Sequence, residues 1–114
     1  MSKRDFRLYL ADIIDSGTAI LEYIQGTSFS DFSHDRKTYS AVIREFEIIG
    51  EAVGKLPDDI KQKRPEVAWQ DIKDFRNLLI HEYFGIDLEI IWQVIQHDLP
   101  LLLDAAREMY SKEK

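Results

Sequence analysis

The chain contains no cysteine, which removes disulfide frameworks and thiolate metal sites together and fits a cytoplasmic home. It has no apolar run of the ~18 residues that a membrane-spanning helix needs, so no membrane association is expected. Residues Met1–Asp5 lead into an amphipathic pattern and not into the apolar core of a signal peptide. Positive charge is also scarce. With 15 basic against 21 acidic residues the net charge is −6, which opposes any general affinity for nucleic acid, because phosphate contacts need Lys and Arg. The deficit is sharpest from His81 to Asp104, where Glu82, Asp87, Glu89, Asp98 and Asp104 stand without a single Lys or Arg. The three histidines, His34, His81 and His97, are too far apart to read as a metal motif, and neither a metal nor a cofactor is expected.

What the chain does have is helical periodicity. Phe6, Leu10, Ile13, Ile14, Gly17, Leu21 and Ile24 advance by threes and fours, one face of a helix from Lys3 to Ile24 that Gly26 stops. Thr27–Ser33 is rich in capping residues and predicts a loop or one short turn pinned by Phe29 and Phe32. Val42, Ile43, Phe46, Ile49, Ala52, Val53 and Leu56 predict a second helix from about Asp35 to Leu56, ended by Pro57. A third is expected to start at Arg64-Pro65, where proline suits the first helical position, and to bury Trp69, Ile72, Phe75, Leu78 and Leu79. After Gly85, Asp87 is a good N-cap for a last helix, which Pro100 should bend or split near Leu99. The expected architecture is an all-α antiparallel bundle of four main helices in a single domain, residues 1–114. A chain this short buries a modest core, so pairing as a homodimer is expected.

The densest chemistry lies in the run from Phe75 to Asp87. Arg76 and Tyr83, seven residues apart, share a helical face, whereas His81 falls about 140° round from Arg76. Arg76 and His81 therefore meet on one substrate only if the helix loosens near His81 or a second copy supplies the missing group. A histidine beside exposed helix-end carbonyls and a half-buried tyrosine are also ordinary structural features, and spacing alone leaves both readings open.

Arg76, four residues, His81, one residue and Tyr83, followed by Phe84-Gly85-Ile86-Asp87, resemble the Arg-x4-His-x-Tyr signature of the HepT-like toxins, a branch of the HEPN superfamily of small helical ribonucleases. The likeness extends to Arg4-Asp5, Leu8-Tyr9-Leu10 and Asp12-Ile13, to Arg44 with Glu47–Ala52, and to Trp69 and Ile72. It implies a HEPN-like helical fold and a homodimer in which two Arg-His sets line a common cleft. It further implies a partner, a minimal nucleotidyltransferase antitoxin that silences the toxin by transferring AMP to the signature tyrosine, here Tyr83.

The implied reaction needs little from a protein. RNA carries its own nucleophile, the 2′-hydroxyl, so a group that moves protons and a cation that holds the phosphate are enough. His81 suits the first role and Arg76 the second, with Asn77 a candidate neutral donor to the substrate. Further positive field for RNA would come from Arg36, Lys37, Arg44 or Lys61-Gln62-Lys63-Arg64, the last of which reads best as a solvated turn. A rival class is a non-catalytic nucleotide-binding or interaction module, which the acidic composition favours. A purely structural homodimer is the third.

Overall fold

The computed structural model describes residues 5–81 and 85–112. Tyr83, with Glu82, Phe84 and Arg4, lies outside the described residues. Among the described residues seven α-helices run in chain order: α1 Phe6–Ile24, α2 Phe29–His34, α3 Arg36–Lys55, α4 Asp58–Gln62, α5 Trp69–His81, α6 Leu88–Gln93 and α7 Leu99–Lys112. A π-helical turn, Val94–Asp98, joins the last two, so Leu88–Lys112 is one continuous rod. Four main helical rods, α1, α3, α5 and this last one, form the all-α bundle, with α2 and α4 as short additions.

The helix starts are set by side chains that satisfy backbone N–H groups left without an intrahelical partner. Asp5 accepts from the Arg7 N–H, Ser28 from Asp31, Asp35 from Thr38 and Asp87 from Glu89. Asp35 also accepts the Thr38 hydroxyl at 2.7 Å, and these bonds hold its carboxyl below the usual carboxylate range. Gly26 follows α1 with φ 72°, a left-handed conformation that costs glycine nothing.

One core runs through the bundle. Leu10, Ile13, Ile20 and Ile24 of α1 pack with Val42, Phe46, Ile49 and Val53 of α3, Ile72, Phe75 and Leu79 of α5, and Leu99, Leu102, Leu103 and Ala106 of α7. Phe46 meets Phe75 edge-on at 5.2 Å, joining α3 to α5. Thr27–Ser33, expected as a loop or single turn, instead contributes the six-residue α2. Its Phe32 is fully buried against Trp92, which explains why so short a helix holds.

One other expectation is corrected. The third helix begins at Trp69 and not at Arg64-Pro65, and Pro65 sits in a turn. The Trp69 indole N–H lies 3.0 Å from the carbonyls of both Lys61 and Arg64, fastening the start of α5 to the end of α4. Arg64 in turn pairs with Glu66 at 3.0 Å and Glu108 at 2.8 Å, tying the same connection to α7. In the last rod the regular α-helix is split near Leu99, as expected from Pro100. The wide π turn immediately before it absorbs the missing N–H and the bulk of the ring.

Candidate functional site

Arg76 and His81 both stand on α5, whose helical path is unbroken from Trp69 to His81. Loosening between them is therefore excluded, and the two side chains leave the helix about 140° apart. Asn77 adjoins Arg76, and its Oδ1 accepts from Arg76 Nη1 at 3.3 Å. His81 is exposed at the end of α5, and Leu78, three residues before it on the same face, is also exposed. Sequence spacing placed these residues on one helix; the structure shows that one protomer does not aim them at one point.

Arg76 faces a cleft of about 410 Å³ between α1, α3 and α5. Tyr9 and Asp12 line it from α1, and Ile80, one turn after Arg76, lines it from α5. The α3 wall is a stripe at helical spacing, Arg44, Glu47, Glu51 and Lys55. Beside the cleft, α3 and α5 approach unusually closely at Gly50. A methyl group there would overlap Cβ and Cγ of Arg76, so the arginine stem lies directly on the α3 backbone. Its Nε is buried without a hydrogen-bond partner. Among the described residues no carboxylate forms an ion pair with Arg76 or Arg44, even though Glu47 and Glu51 line the same cleft. A guanidinium held by its stem and uncommitted at its charge is suited to an incoming anion.

Of the cations considered from sequence, Arg44 joins Arg76 in the cleft, and Arg36 and Lys37 do not. In the Lys61–Arg64 cluster Lys61 lies 3.9 Å from Asp58 and Arg64 is paired twice, while Lys63 is exposed, and none of them lines the cleft. Lys55 was not anticipated. Its signal was legible as the fourth member of the stripe that Arg44 begins. The expected modification site, Tyr83, lies outside the described residues. Among the described residues no three His, Asp or Glu side chains gather so as to hold a metal ion, and no helix is long and apolar enough to cross a membrane.

Comparison with known proteins finds ribonuclease relatives that match over most of the chain. The family model described as "Ribonuclease HepT-like" matches residues 13–109. "Probable ribonuclease HepT" of Thermococcus cleftensis is 42% identical over 100 residues, covering 88% of this chain and 91% of that protein. "Putative RNase TTE0752" of Caldanaerobacter subterraneus subsp. tengcongensis is 41% identical over 108 residues, covering 95% and 96%. "Putative RNase MJ0127" of Methanocaldococcus jannaschii is 43% identical over 100 residues, covering 88% and 83%. No solved structure matches the chain. A match of this extent, on an all-helical bundle, shows that the chain belongs to the HepT-like ribonuclease family of HEPN-type helical proteins.

Proposed function

We propose that the protein is a metal-independent endoribonuclease and the toxin of a type II-like toxin–antitoxin pair, with Arg76 and His81 as its catalytic residues. The observation that carries this reading is the guanidinium of Arg76, without an ion pair among the described residues and clamped against Gly50 in a cleft of a chain that belongs to a ribonuclease family. Arg76 grips the scissile phosphate and holds the charge that builds on it. His81 takes the proton of the 2′-hydroxyl as O2′ bonds to phosphorus. The P–O5′ bond breaks, the proton is returned to the departing O5′, and a 2′,3′-cyclic phosphate is left. Asn77 keeps its amide N–H groups for the substrate while its carbonyl oxygen steadies Arg76.

Because α5 is unbroken, the two groups act together when a second copy of the chain brings its His81 to the Arg76 of the first. The protein is thus read as a homodimer with composite sites. The exposed Leu78 beside His81 supports this, since an apolar side chain next to a catalytic group suits a face that becomes covered. The partner that neutralises it is read as a minimal nucleotidyltransferase that attaches AMP to Tyr83. Such a modification would add a bulky group and negative charge two residues along the sequence from His81. Co-expression with that partner should add one or more AMP masses to the peptide containing Tyr83, and Tyr83→Phe should escape; an unmodified Tyr83 in a fully silenced toxin would replace this with steric masking.

The test of the catalytic reading is cleavage of RNA by chelator-treated protein, with Arg76→Ala and His81→Ala each abolishing it while remaining folded. The net charge of −6 favours a second reading, a module that binds a nucleotide without cutting. Nucleotide binding by a wild-type protein that never cleaves RNA would select that module.

A further inference from the structure

The α3 wall of the cleft has an order that phosphate binding alone does not require. Arg44 and Lys55 stand at its ends, and Glu47 and Glu51, one turn apart, stand between them. Glu47 and Glu51 make no hydrogen bond or ion pair among the described residues, although three cations share their cleft. Two carboxylates serving only to neutralise Arg44 and Arg76 would be paired with them. Carboxylates that accept hydrogen bonds from a ligand would be left as these are.

We propose that this cleft binds one unpaired nucleotide of the RNA and selects guanine, with Glu47 and Glu51 as the specificity-determining residues and Arg44 holding the nucleotide's phosphate. The proposal rests on the ribonuclease reading above and extends it from the scissile phosphate to the neighbouring base. The volume of about 410 Å³ suits a single small ligand and is far too small for a duplex. Sequence-selective contact with RNA is made to unstacked single-stranded bases through their edges. Guanine presents two adjacent N–H donors, N1–H and N2–H, which match the two oxygens of one carboxylate. Adenine and cytosine offer one amino donor beside an acceptor, and uracil sets its single N–H between two carbonyls that a carboxylate repels. An acidic protein gains from this arrangement, because the carboxylates that weaken general affinity for RNA become the source of selectivity.

The test uses the four nucleoside 5′-monophosphates in calorimetric titrations, and in parallel short single-stranded RNAs carrying one guanosine in an otherwise uridine sequence. Wild-type protein should bind GMP about tenfold or more tightly than UMP and cut next to the guanosine. Glu47→Gln/Glu51→Gln, which keeps shape and removes charge, should bring the GMP-to-UMP ratio to within about threefold. Arg44→Ala should weaken all four nucleotides alike. Equal binding of GMP and UMP by the wild type, or a guanine preference that survives the double substitution, overturns the proposal. Guanine-selective binding by a protein that cuts no RNA leaves the cleft assigned and removes the ribonuclease reading. Cleavage indifferent to base does the reverse.

Discussion

Gly50 and Gly54 lie one turn apart on α3, and their surroundings make opposite demands. At Gly50 a methyl group overlaps the Arg76 stem, so Gly50→Ala must push α5 outward or drive Arg76 out of its rotamer. It should cost about 1–3 kcal/mol of stability and, at a temperature where the variant is fully folded, lower RNA cleavage by about tenfold or more through misplacement of the guanidinium. At Gly54 the nearest atom to an added methyl is Lys73 Cε at 3.8 Å, an ordinary contact, and the backbone is helical. Gly54→Ala should therefore stabilise the protein by about 0.5–1 kcal/mol with unchanged cleavage. Thermal melting and cleavage rates of the two variants side by side check both. In the sequence, Arg76 and His81 stood out through their resemblance to the Arg-x4-His-x-Tyr signature, since chemical type and spacing alone left a structural reading open. The sequence could not show that Gly50 seats Arg76, because that depends on how closely two helices approach, which a single helix's periodicity does not contain.

The last rod shows an element adapting to one residue. Its buried positions Ile91, Ile95 and Leu99 advance in steps of four, and on a strict α-helix each step would carry the side chain about 40° round the axis. The wider π turn from Val94 to Asp98 takes up that drift, so the apolar stripe stays on the core while the chain accommodates Pro100. Pro100 was visible in the sequence as a disturbance at this place. Its form was not, since a bend, a break and a π turn satisfy the same missing N–H. The short α2 was missed for a related reason, because six residues hold too few turns for a period to show, and the late start of α5 depends on the Trp69 contacts with Lys61 and Arg64. Asp98, at the end of the π turn, is partly buried. Burial, and next to it the charge of Asp71, raise its carboxyl above the usual carboxylate range. A carboxyl whose folded value is raised weakens the fold as pH climbs from the unfolded value of about 3.9 through the folded one. Asp98→Asn should therefore raise the melting temperature at about pH 7, and the gain should shrink toward zero by about pH 3, where aspartate is protonated in both states. An equal gain at both pH values would assign the effect to packing.

At the scale of the whole molecule, Arg76 looks into a three-helix cleft while His81, about 140° away on the same unbroken helix, shares its face with an exposed leucine. Composition made a bundle and a second copy reasonable, and under the proposed function the unbroken α5 would give that copy a task, since Arg76 and His81 face apart in one protomer. A composite site has a consequence that a site within one protomer lacks. Arg76→Ala and His81→Ala protein should each be inactive alone. When the two are mixed and allowed to exchange subunits, half of the dimers become mixed, and each mixed dimer holds one site with both groups intact and one with neither. Cleavage should return to about a quarter of the wild-type rate, and the recovery should follow the time course of subunit exchange. If both groups came from the same chain, no mixed dimer would contain a complete site, and the mixture would stay as silent as its parts. Sedimentation under the same conditions would show whether that silence came from a failure to pair.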